Sequence, residues 1–191
     1  MPPRRLRLLT ILAIPLFSAL TMLSITQTWW TVEVADRSLE IAGTVASPAL
    51  SALALAGFAL TAALAISGPV FRIVMGVLQS AIGATVVLAA YNSMSDPIAT
   101  SATIITEATG VAGTESVAAL VDEVVLTGWP WVAVMSGVLS LLVGLFLLFT
   151  ARRWPVASRK YQAARLEEPG APRDSVGDWD ALSDGSDPTE R

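Results

Sequence analysis

The apolar positions of this chain fall into four uncharged runs, at residues 8–32, 41–71, 73–95 and 124–151, separated by segments that hold the charges. Each run contains the ~20 consecutive apolar residues that a helix needs to cross a ~30 Å hydrocarbon core. The pattern predicts spans at about 8–27, 48–67, 71–92 and 130–151 in a membrane domain of residues 1–157, followed by a polar tail over 158–191. Basic start and apolar core also fit a signal peptide, but such cores run ~7–15 residues, so a retained helix is expected.

The connecting segments differ in character. Gln27-Thr28-Trp29-Trp30 marks the outer end of the first span, and Thr31-Val32-Glu33-Val34 and Leu39-Glu40-Ile41 then alternate apolar with polar around Asp36-Arg37-Ser38. That period of two with a central turn predicts a short β-hairpin. Ser47-Pro48 opens the second span and Gly68-Pro69 closes it, leaving a tight link to the third with Arg72 at the boundary, placed to snorkel to headgroups. The segment 93–128 is long and polar at first. In its latter half Val117, Leu120, Val121, Val124 and Val125 share one helical face, with Thr114 as N-cap, so an amphipathic helix is predicted there.

Within the spans, small residues recur at helical spacing: Ala52, Ala56, Ala59 and Ala63 in the second, Gly76, Gly83 and Ala90 in the third, Ser136, Ser140 and Gly144 in the fourth. Such rows let helix backbones approach closely in lipid, so all three are expected to be packing faces. Gln79 is the most polar residue inside a span. It reads as helix glue, with Ser80 or Thr85 nearby as partner, ahead of a substrate-binding amide.

Charge sets the orientation. Arg4, Arg5, Arg7, Arg72, Arg152, Arg153, Arg159, Lys160, Arg165, Arg173 and Arg191 fall on one side of a four-span threading, and Arg37 alone falls on the other. The positive-inside rule then predicts cytoplasmic N- and C-termini in a plasma-membrane protein. The net charge of −4 is segregated: eight acids occupy the outer loops and eight the tail. This distribution points to no nucleic-acid partner. The composition, 53% hydrophobic with a mean hydropathy of +0.62, places the lipid bilayer as the first partner.

Chemistry is sparse. The chain has neither Cys nor His, which removes disulfides, thiol chemistry, the commonest metal ligands and every Ser-His or Cys-His nucleophile. No enzymatic activity, no cofactor and no metal are expected. Asp122 and Glu123 near Glu115 lack the spacing of a Ca²⁺ loop and read as a solvated face. The span interiors hold no ionisable residue, which disfavours ion-coupled transport.

Two clusters stand out. Trp29, Trp30, Trp129 and Trp131 end the first span and open the fourth; they form either an interfacial aromatic belt or a pocket for a flat ligand. In the tail, Trp179, Asp180, Leu182, Asp187 and Pro188 have the format of a short partner-binding motif.

Thr28-Trp29-Trp30, the Gly43…Pro48 lead into the second span, Trp131, Arg152-Arg153-Trp154-Pro155 and the Trp179-Asp180-Ala181-Leu182…Asp187-Pro188-Thr189 tail together resemble the actinobacterial tryptophan-biosynthesis-associated membrane protein family. The resemblance covers essentially the whole chain. It implies a pathway context and carries over no activity or catalytic residue. The predicted fold is an all-α integral membrane protein, a four-helix bundle with a small cap built from hairpin and amphipathic helix, and a disordered acidic tail. Three functions follow: a non-enzymatic accessory protein linked to tryptophan metabolism and binding a partner through its tail, a tryptophan or indole permease or exporter component, and a claudin-like structural protein. A homo-oligomer is compatible with each.

Overall fold

The structure, a computed structural model, describes residues 3–34 and 37–150. Helix α1 (Pro3–Ile25) leads into strands β1 (Thr28–Val34) and β2 (Arg37–Ala42), a single turn α2 (Gly43–Ala46), and helix α3 (Ala49–Ile66). Helices α4 (Pro69–Ser95), α5 (Pro97–Thr109) and α6 (Thr114–Ala118) follow, then strand β3 (Val121–Leu126) and helix α7 (Trp129–Thr150). Four of these, α1, α3, α4 and α7, contain apolar stretches long enough to cross a membrane: Leu8–Ile25, Ala49–Ile66, Val70–Ser95 and Trp129–Thr150. Only 28–33% of each stretch is buried within the protein. The outward residues are Leu, Val, Ile and Phe, a surface far larger than a soluble monomer tolerates and one that lipid covers. This is a multi-pass membrane protein.

The spans form a closed ring in which α1 packs on α3, α3 on α4, α4 on α7, and α7 back on α1. The tightest pair is the antiparallel α4–α7. An added Cβ on Gly83 would fall 2.7 Å from the Leu141 Cα, one on Gly144 2.9 Å from the Ser80 Cα, and one on Gly137 3.0 Å from the Val87 backbone nitrogen. Small residues let these two backbones touch, which compensates for the missing hydrophobic drive between helices in lipid. The glycine and serine seams expected on the third and fourth spans are therefore real. The alanine row of the second span is not a packing face. Ala52, Ala56 and Ala59 are exposed, and α3 buries Leu50, Ala54, Gly57, Leu60 and Leu64 instead, because the three leucines fill the ring interior while Gly57 lies against Ser18.

Several polar side chains of the spans turn inward and pair between helices. Thr21 and Ser136 share a hydrogen bond of 2.7 Å between α1 and α7. Gln79 donates through Nε2 to Ser140 Oγ. It is interhelical glue, as expected, but its partner is in α7, whereas Ser80 and Thr85 donate to carbonyls of their own helix. Arg72 does not extend outward from the bundle. It is only 4% exposed, at the start of α4.

The cap lies at the opposite end of the bundle from Arg72. Its hairpin is present, with β1 central in a three-stranded antiparallel sheet ordered β2-β1-β3. Arg37 and Ser38, read as turn residues, already belong to β2 and pair with Val34 and Glu33. The loop-3 segment also departs from expectation. Helix stops after Ala118, Gly113 rather than Thr114 is the N-cap, and Val121–Leu126 is a strand on the free edge of β1. The i, i+3 spacing of half-buried Val121 and Val124 mimics a helix for a specific reason. Glu123 pairs with Glu33 and Val121 with Val34, so Asp122 bulges out and the two valines return to one face. The longer cap helix is α5, opened by Asp96 accepting from the Ala99 N–H at 2.9 Å and closed by Gly110 in the left-handed region.

Candidate functional site at the cap junction

The tryptophans expected to form a cluster sit where the cap meets the spans, and the structure treats them in two different ways. In β1 the buried positions Trp30, Val32 and Val34 alternate, as one covered face of a strand requires. Trp29 breaks this alternation. Between Thr28 and Trp30 the pairing with β2 slips by a residue, and the bulge turns Trp29 inward beside its neighbour. Both indoles are completely buried, with ring centroids 6.0 Å apart and planes tilted by 56°. Neither is exposed on the surface of the protein.

Each indole N–H has a partner. Trp29 Nε1 donates to the Ser24 carbonyl at 3.0 Å, tying β1 to the last turn of α1. Trp30 Nε1 donates to Ser101 Oγ at 2.8 Å, tying β1 to α5, and Ser101 in turn donates to the Pro97 carbonyl. Gly43 completes the seat of Trp29, since a Cβ there would fall 2.6 Å from both the indole Cε2 and the Ile25 Cα. Thr127 knits the far side. Its backbone N–H donates to the Trp29 carbonyl, and its hydroxyl lies 2.8 Å from the Thr28 carbonyl and 3.0 Å from that of Trp29. Ser24 Oγ donates to the Trp129 carbonyl at 2.6 Å, so α1 and α7 are joined at the same level.

Trp129 is half-buried against this core, and Trp131 is 56% exposed on α7. Neither is in ring contact with the β1 pair. The four side chains thus divide into a buried pair, an intermediate neighbour and an outward indole. What the junction offers is apolar packing and hydrogen bonding, with both buried N–H groups already committed. Sequence reasoning missed Ser24, Ser101 and Thr127, whose roles depend on partners 5 to 105 residues away. Gly43 was visible only as part of a family pattern. Trp179, Asp180, Leu182, Asp187 and Pro188 lie outside the described residues.

Neither curated proteins nor solved structures provide a match to this chain. A family description does, and it spans the first helix, the tryptophan junction, the bundle and the tail. Over residues 11–189 the sequence matches the tryptophan-associated transmembrane proteins, and the chain belongs to that family.

Proposed function

We propose that the protein is a non-enzymatic accessory component of the plasma membrane, linked to tryptophan metabolism, with both termini cytoplasmic and a partner bound through the tail motif around Trp179 and Leu182. The observation that carries this reading is the closure of the bundle. Backbones of α4 and α7 meet at Gly83, Gly137 and Gly144, and buried Ser136, Ser140 and Gln79 hydrogen-bond within or between helices. Such an interior suits an anchor better than a conduit. The buried, hydrogen-bonded state of Trp29 and Trp30 weighs in the same direction, because a permease built on the tryptophan cluster would need those rings accessible. Segregated basic residues support the orientation.

The test is removal of residues 175–191 from the otherwise intact protein, followed by crosslinking in native membranes. Loss of a crosslinked species that the full-length chain captures is the expected result. An unchanged set of crosslinked proteins, or a deletion strain whose only defect is in tryptophan export, would sink the proposal.

A further inference from the structure

One part of the cap leaves its polar groups uncommitted. Along α5, Thr100 donates to the Asp96 carbonyl and Thr109 to that of Ile105, the usual back-bonding of helical threonines. The hydroxyls of Thr103 and Thr106 on the same helix, and of Thr114 at the start of α6, make no hydrogen bond among the described residues. Glu107 makes no ion pair there. These four side chains converge on one trough between α5 and α6, with a cavity volume of about 350 Å³. It continues toward Asp96 as a second depression of about 210 Å³, the two sharing Ala102, Thr114 and Val117.

The trough exists because of local backbone geometry. Gly110 (φ 74°) ends α5 and Gly113 (φ 105°) starts α6, so the chain reverses and sets the short helix beside the long one. Small residues at Ala99, Ala102 and Ala118 leave the space between them unfilled. The floor is apolar, the walls carry hydroxyls, and one carboxylate stands at an end. The trough is open on one side, with Thr103, Glu107 and Thr114 exposed, and its volume reaches the lower bound of the roughly 300–1,000 Å³ typical of small-molecule sites. Charge decides the class of occupant. Residues 93–128 contain five acids and no Lys or Arg, so the local field draws cations and repels anions.

We infer that this trough binds a small primary amine with an apolar body, the ammonium held by Glu107 and the Thr103 and Thr106 hydroxyls, the body lying on Ala102 and Val117. The inference goes beyond the accessory role and does not depend on it. Thr103 and Thr106 accept N–H donors through their oxygens, a task their lack of internal partners leaves open. Asp96 plays no direct part, because its carboxylate caps α5.

The experiment uses the full-length protein in nanodiscs of zwitterionic lipid, with empty nanodiscs as reference, and titrates phenethylamine, phenethyl alcohol and 3-phenylpropionate calorimetrically. These probes share the apolar body and differ in the charged group. Phenethylamine is expected to bind more tightly than the alcohol, and 3-phenylpropionate to be weakest. Glu107→Gln should weaken the amine about three- to tenfold, the range of an exposed to a partly desolvated charge-assisted contact. Ala102→Leu should abolish binding by filling the floor, with unchanged circular dichroism as the check on folding. Glu123→Gln, on β3 outside the trough, should leave the affinity as it was. Equal affinity for amine and carboxylate overturns the proposal, as do equal losses in Glu107→Gln and Glu123→Gln or binding no stronger than to empty nanodiscs. If Ala102→Leu fails to fold, Thr103→Leu tests the same occlusion from the exposed wall.

Discussion

The α4–α7 seam and the cap junction solve the same packing problem in opposite ways. In the seam, the residues at closest approach are Gly76, Gly83, Gly137 and Gly144, and side chains there matter by being absent. At the junction, closure is achieved by two of the largest side chains available, Trp29 and Trp30, both fully buried. The solvent explains the contrast. Lipid tails are as apolar as leucine, so spans gain nothing by hiding large apolar groups from them and associate through close van der Waals contact. A small three-stranded cap has to bury apolar area to hold together, and indoles bury 150–250 Å² each, roughly, while their N–H groups fix direction.

That contrast can be broken experimentally, starting with the largest effect. Trp30→Ala should destabilise the cap by about 3–5 kcal/mol, the range for large aromatic deletions from a core. Its mark is faster amide exchange across β1, β2, β3 and α5, with the spans still protected. If the spans lose protection equally, the two regions are not separable. Trp30→Phe keeps most of the packing and removes the bond to Ser101, so a loss of only about 0.5–1.5 kcal/mol is expected.

Gly83→Val is the complementary change. Its added carbons would meet the Leu141 backbone, which cannot move as a flexible side chain can, and overpacking of this kind costs typically about 1–3 kcal/mol. Unfolding titrated with a denaturing detergent should report the loss, and tryptophan fluorescence from the buried pair should stay unshifted. Ala56→Val, on the exposed face of α3, should cost nothing comparable. Ser140→Ala removes the partner of Gln79 and should cost about 0.6–2 kcal/mol, measured in the same titration. The Gln79 Oε1 is already buried without a hydrogen-bond partner, so Gln79→Met should cost less than Ser140→Ala.

The smallest effect concerns the sheet. Glu33 and Glu123 face each other across β1 and β3, a like-charge pair on adjacent strands. Glu123→Thr should stabilise the cap by about 0.2–1 kcal/mol, with the gain shrinking as salt is added. A loss of stability would mean that Glu123 has a favourable role in β3.

Legibility in the sequence followed the length over which a signal repeats. Long uncharged runs mark the spans without ambiguity, and the seven-residue recurrence of Gly76, Gly83 and Ala90 marks a true seam. The alanine row of the second span failed because small residues permit close approach without demanding it. Val121 and Val124 failed because one bulged residue converts a strand's period into a helix's. Helix α5 was within reach, since Asp96-Pro97 at its start and Gly110 at its end are standard cap signals, but they were obscured by the polar character of the segment. At the junction, Trp29 and Trp30 were recognised as unusual, yet their burial was hidden. An indole next to the end of a span satisfies its amphipathic character equally in headgroups or beneath a cap.

By itself the sequence determined that the chain crosses a membrane repeatedly, where its spans lie, and which family it belongs to. These properties reside in composition and in runs of residues whose transfer energies add up locally. Only the tertiary structure decided which face of each span turns inward, that β3 completes the sheet, and that two of the four tryptophans are sealed in a core while one points outward. These outcomes depend on partners far apart in the chain, such as Trp30 with Ser101 and Gln79 with Ser140, which become neighbours only when the ring of helices closes and the sheet is seated on it.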